Sequence, residues 1–149
     1  MKKLIFIPII ALIVAFASIS AQAAEQSTAN KKLAENFWNG VFNNHNTALI
    51  DSEVGNVYKQ HNPFFADGKA AFKEAIEEYF KEFPESSAEI KHIVADGDLV
   101  FIHNHIKLNP QDRGQSAVDI FRVTDGKITE HWDVIQAIPE QSKNTNSMF

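Results

Sequence analysis

The sequence predicts an α+β fold, with helices first and then a curved antiparallel sheet folded back over them. Three observations predict it. Apolar residues recur at helical spacing as far as Pro84, the period changes to two after it, and turn signals cut the second half into strands.

Each element has its own signal. Leu33, Phe37 and Val41 stand at i, i+4 and i+8 and predict a helix from Lys31, ended by the polar run 43–46. A shorter helix follows from Thr47 to about Gly55, with Leu49, Ile50 and Val54 on one side. Residues 57–64 read as an extended segment broken by Pro63. Asp67-Gly68 introduces the clearest helix, whose stripe is Phe72, Ile76, Tyr79, Phe80 and Phe83, and Pro84 closes it. Strands are predicted over 88–95, 99–108, 116–123 and 127–137. The turns between them are Asp96-Gly97-Asp98, the polar loop 109–114 and Asp125-Gly126. A sheet wrapped around a long helix leaves a cavity at its open end, where a ligand would sit.

The chain divides into residues 1–23, 24–30, 31–138 and 139–149. Lys2-Lys3, the apolar run from Leu4 to Ala17 and Ala21-Gln22-Ala23 have the pattern of a cleaved secretory signal peptide. The run is shorter than the ~20 residues that span a bilayer, so no stable anchoring is expected after cleavage. Export, to the periplasm or beyond a bacterial cell, is the expected localisation. Residues 24–30 are expected to be a flexible mature N-terminus, 31–138 one domain and 139–149 a tail.

Removing residues 1–23 leaves 126 of the 149 residues, enough for one core. Lys2 and Lys3 go and all 19 acidic residues stay, which takes the formal charge from −5 to −7. Such a surface does not attract nucleic acid. There is no cysteine, which excludes thiol catalysis, thiolate metal sites and stabilisation by disulfides.

Strand alternation sorts the polar side chains. Phe101, His103, His105 and Lys107 share one face of their strand, with Val100, Ile102, Asn104 and Ile106 opposite. Asp119 shares a face with Ala117, Phe121 and Val123. His131 and Asp133 share a face, with Trp132 opposite. Asp119 is the most informative residue, because a carboxylate in an apolar strand must be paired, protonated or in a wet pocket. A three-residue hairpin loop sets Asp119 across from His131, and a two-residue loop sets it across from Trp132. His131 and Asp133 can converge on one volume, where a carboxylate keeps an imidazole base near neutrality. His61, before Asn62-Pro63, falls at a pocket rim, and Tyr58 can offer its phenol to the same pocket. His103-x-His105 is also a metal-ligand spacing, completed for zinc by His61 or His131. That pattern is unspecific alone, and the site is read as holding neither metal nor cofactor.

Tyr58-x-x-His61-Asn62-Pro63, Asp67-Gly68, and the run from Val118 through Asp119, Asp125-Gly126 and Glu130-His131-Trp132-Asp133 resemble the SnoaL-like polyketide cyclase group of the nuclear transport factor 2-like superfamily. The resemblance spans residues 30–138. It implies a cone-shaped barrel, a homodimer, and a cofactor-free pocket in which an Asp/His set moves protons next to a carbonyl. The positions that can fill those roles are Asp119, His131, Asp133, His103 and His61. Tyr58, Phe101, His105, Phe121 and Trp132 are the candidate ligand contacts. The same superfamily holds the ketosteroid isomerases, and Asp119 looks similar in position to their proton-donating aspartate. Here His61-Asn62-Pro63 stands where they have an aspartate before proline, so steroid isomerisation is not expected.

The expected function is acid/base chemistry on a small apolar ketone: aldol condensation, cyclisation or isomerisation. The alternatives are an exported protein that binds a small apolar ligand without chemistry, and a dimerisation or interaction module.

Overall fold

The computed structural model describes residues 9–149. Helix α1 spans Ile9–Trp38 and continues into a π-helical turn over Asn39–Asn43; α2 spans Ala48–Glu53 and α3 spans Lys69–Glu82. The strands are β1 (Val54–Gln60), β2 (Ser87–Asp96), β3 (Leu99–Lys107), β4 (Gln115–Thr124) and β5 (Lys127–Ala137). The expected leader overlaps the start of α1, and its residues 1–8 lie outside the described residues. No helix among the described residues is long and apolar enough to cross a membrane.

Residues 24–30, expected to be flexible, are instead part of α1. The segment is rich in Ala, Gln and Glu, which favour helix. Thr28 also bonds back to the Ala24 carbonyl at 2.8 Å, and Asn30 donates to the Gly97 carbonyl at 2.9 Å. The tail has no regular structure, but the Phe149 ring packs 4.7 Å from His105.

The strands form one curved, unclosed sheet in the order β1-β5-β4-β3-β2. The four predicted strands pair as an antiparallel meander. The fifth, β1, occupies part of the extended segment and lies parallel to β5, so the sheet is mixed rather than wholly antiparallel. Parallel partners share no turn, and local pattern does not announce such a pairing.

The inner face of the sheet packs on α1 and α3. Phe37, Trp38, Phe72, Val100, Ile102 and Phe121 are buried at the centre. Phe37 meets Phe121 edge-on at 5.9 Å, an arrangement aromatic quadrupoles favour. At the sheet edge the Trp38 indole N–H donates to the Ala88 carbonyl at 2.7 Å. The Asn43 side-chain amide brackets the same residue, its Oδ1 accepting from Ala88 N–H at 2.8 Å and its Nδ2 donating to the Ala88 carbonyl at 3.1 Å. These bonds hold the end of α1 against β2 and occupy polar groups of an edge strand.

Two β-bulges set which side chains face inward. In β5, Val123 pairs with Ile128 and Arg122 with Glu130, so Thr129 is an extra residue. Ile128 faces inward before the bulge, and His131 and Asp133 face inward after it. In β2, Lys91 is the extra residue, and His92 lies across from His103.

Candidate active site

The bulge resolves the register between β4 and β5. Asp125-Gly126 is a two-residue turn, which alone would place Asp119 opposite Trp132. Thr129 advances β5 by one residue, so Asp119 lies opposite Asp133 and Phe121 opposite His131. Neither expected register holds, yet the three residues share the inner face. They meet at the polar end of a cavity of about 230 Å³. Its remaining wall is largely apolar, with Trp38, Phe42, Phe65, Phe72, Ile76 and Tyr79 supplied by the helices and the loop before α3.

A hydrogen-bonded chain fixes the polar end. His131 Nε2 lies 2.9 Å from Asp119 Oδ1. His131 Nδ1 lies 2.9 Å from Gln60 Oε1, which also accepts from the backbone N–H of Asn62 at 3.0 Å. A backbone N–H can only donate, so the Gln60 oxygen faces this way and His131 Nδ1 must carry a proton. The Nε2–Oδ1 contact then holds one further proton, since two lone pairs at that distance would repel. Either it makes His131 an imidazolium beside a carboxylate, or it makes Asp119 an acid beside a neutral imidazole. The pair is neutral as a whole in both cases.

The other oxygen of Asp119 accepts from Asn104 Nδ2 at 2.6 Å. Asn104 is fully buried on the inner face, and its Nδ2 also reaches the Ile102 carbonyl at 3.3 Å. Its Oδ1 has no partner. Asp133 is held differently. Asn62 Nδ2 approaches both of its oxygens, at 2.9 and 2.7 Å, while Asn62 Oδ1 accepts from Phe64 N–H. Each carboxyl group therefore carries its own asparagine amide. Tyr58 is buried behind this network, stacked on Phe72 at 5.2 Å, and receives a hydrogen bond from Gln60. Burial, and then the charges of Asp119, Asp133 and Asp67, push its phenol well above the ordinary tyrosine range.

Of the residues expected at the site, Asp119, His131, Asp133 and Phe121 line the cavity. Tyr58 lies in the core just behind it. The others are on the outer face of the sheet. His103 bonds Ser116 at 2.9 Å and faces His92, and His105 bonds the Arg113 carbonyl at 2.7 Å. Phe101 alternates with the buried Val100 and Ile102 and so points outward. His61 stacks on Trp132 at 4.3 Å and bonds Glu130 at 3.1 Å, so neither His61 nor Trp132 reaches the cavity. That His61 bond is the main reason the Glu130 carboxyl is held below the usual range, with Lys59 and Arg122 adding to it.

Three site residues escaped sequence reasoning: Gln60, Asn62 and Asn104. Asn104 carried the same signal as Asp119, a polar residue between inward-facing apolar ones. Gln60 and Asn62 had no periodic signal, because β1 brings them in through its pairing with β5. Asp119, His131 and Asp133 each turn a ligand atom to within 4.8 Å of the others, a set that could hold a divalent metal. In this arrangement those atoms are engaged with one another and with the two amides.

The family profile of SnoaL-like polyketide cyclases matches residues 32–140. The chain belongs to that family. It is similar in structure to a candidate polyketide cyclase from Bacillus cereus, with 25% identity over 74% of this chain and 76% of that one, at a TM-score of 0.64. A candidate ketosteroid isomerase from Kribbella flavida gives a TM-score of 0.66 at 15% identity, covering 80% of this chain and 86% of that one. An LEH-like epoxide hydrolase of M. tuberculosis gives 0.60 at 21% identity, covering 74% and 84%. No curated protein matches the chain.

Proposed function

We propose that this protein is a cofactor-free acid/base enzyme acting next to the carbonyl of a small apolar ketone. The observation that carries the reading is the neutral, proton-sharing Asp119–His131 pair set beside a separate carboxylate, Asp133, at one end of an apolar cavity. Asp133 takes the proton from the carbon next to the carbonyl. Asn62 holds both carboxylate oxygens and fixes their direction. The proton between Asp119 and His131 is offered to the carbonyl oxygen as negative charge develops there. Returning the proton to another carbon gives isomerisation. Attack of the enolate on a second carbonyl, whose oxygen then receives the proton, gives aldol closure. The low polarity of the surrounding wall strengthens both steps.

Export through residues 1–23 and a homodimer built on the outer sheet face belong to the same proposal. The exposed Val94 and Val134 on that face support the dimer.

The test is deuterium exchange from heavy water into the α-carbon of a panel of small apolar ketones, read by NMR. The parent protein is expected to catalyse exchange, and Asp133→Asn and Asp119→Asn to abolish it. Unchanged exchange in both variants removes the enzyme reading. A retained, unmodified ligand in native mass spectrometry would then favour a binding protein.

A further inference from the structure

The charges around the cavity do not balance. The Asp119–His131 pair is neutral whichever atom holds the shared proton. Asp133 has only the Asn62 amide as a partner and, among the described residues, no cationic group within ion-pair distance. No Lys or Arg lines the cavity. Lys59 and Arg122 pair with Glu130 on the outer face, and Lys127 donates to the Ser52 carbonyl. The polar end of the cavity therefore carries one uncompensated negative charge, facing a wall that includes six aromatic rings.

We infer that the cavity selects its ligands by charge, preferring apolar molecules that carry a protonated amine and rejecting those that carry a carboxylate or phosphate. An ammonium group seated against Asp133 supplies the missing charge, and the aromatic faces of the wall favour a cation over an anion. A second carboxylate or a phosphate there adds like charge in a poorly screened place. The inference rests on the cavity being the ligand site and refines what that site takes. For the enzyme, hydrophobic amines become competitive inhibitors, because their ammonium stands where the proton accepted by Asp133 would stand. Ketones bearing a carboxylate become poor substrates.

The experiment uses three probes of one shape: phenethylamine, phenethyl alcohol and phenylacetate. Their binding to the full-length protein is measured by titration calorimetry at neutral pH. The amine is expected to bind about tenfold more tightly than the alcohol, and phenylacetate about tenfold more weakly. In Asp133→Asn the three are expected to converge to within about threefold. Phenylacetate binding as well as the amine in the parent protein overturns the inference, with no appeal to the variant. Binding of the alcohol without any charge preference overturns it too, yet leaves the cavity as a ligand site. Failure of all three probes to bind removes the inference together with the ligand site beneath it.

Discussion

Asn104→Asp tests the proton count at the site through stability. The change keeps the shape of a fully buried side chain and turns the amide facing Asp119 into a carboxyl group. The facing atoms lie 2.6 Å apart. Two ionised carboxylates at that separation would repel by about 6 kcal/mol at an effective dielectric constant of about 20. Taking up a proton is cheaper. An unfolded aspartate ionises near pH ~3.9, so keeping it protonated in the folded state costs about 1.4 kcal/mol per pH unit above that, or about 4 kcal/mol at pH ~7. The introduced acid keeps its proton longer in the folded state than in the unfolded one. Its cost is therefore absent below pH ~4 and grows as pH rises. Urea unfolding followed by tryptophan fluorescence between pH ~4 and ~8, with the parent alongside, measures this directly. Asn104→Leu is the control. It loses a hydrogen bond to a carboxyl group, about 1.5–3 kcal/mol, and also removes the unpartnered Oδ1, which costs the parent about 1–3 kcal/mol. The lost bond leaves a buried Asp119 oxygen without its donor, which outweighs that gain, so a loss of about 1–3 kcal/mol is expected, with no introduced acid to titrate. A destabilisation by Asn104→Asp that is the same at every pH would refute the reasoning.

Other consequences are equally direct. Asn62→Ala removes the amide on Asp133 and the acceptor for Phe64 N–H. It is expected to cost about 2 kcal/mol in thermal or urea unfolding, because water in the cavity replaces part of the loss; a change under about 0.5 kcal/mol contradicts the assigned geometry. Tyr58 keeps its proton in the folded state past the ordinary tyrosine value, so its share of stability is intact below pH ~10 and is lost as pH rises beyond it. Stability of Tyr58→Phe should therefore decline less steeply under alkali, and identical slopes would count against this. Gly114 has φ of +81°, and a Cβ there would come within 2.2 Å of the Ile106 carbonyl oxygen. Gly114→Ala should lose about 2–4 kcal/mol through strain and displacement of the 109–114 loop; a melting temperature unchanged from the parent would exclude that backbone geometry.

The sequence revealed the fold wherever the signal was local. The stripe from Phe72 to Phe83, the hairpin at Asp125-Gly126 and the alternation in β3 to β5 each depend on neighbouring residues. The parallel contact of β1 with β5 depends on no neighbour, and with it Gln60 went unseen and Asn62 was read only as part of a motif, not as the partner of Asp133. Asp119 stood out because it interrupts an otherwise apolar strand, and His131 and Asp133 because their i, i+2 spacing puts an imidazole and a carboxylate on one face. The same alternation separated His103 and His105 from Asn104 correctly, but it did not say which side faces inward. Phe101 makes one side apolar, and Val100 and Ile102 make the other so. The structure chose the aliphatic pair, which took Asn104 inside and left both histidines out. His61 and Trp132 were misplaced for a related reason: they satisfy each other by stacking on the outer face, a contact between distant segments.

Thr129 gives the site an uneven tolerance to changes in chain length. A one-residue deletion within a strand normally reverses every side chain beyond it. Thr129 is already surplus, so losing it would regularise β5 and leave His131 and Asp133 aimed as they are. Losing Trp132, three positions later, would turn Asp133 away from Asp119. Relatives that lack the residue at the Thr129 position can therefore carry the same chemistry, and those that lack the residue between His131 and Asp133 cannot.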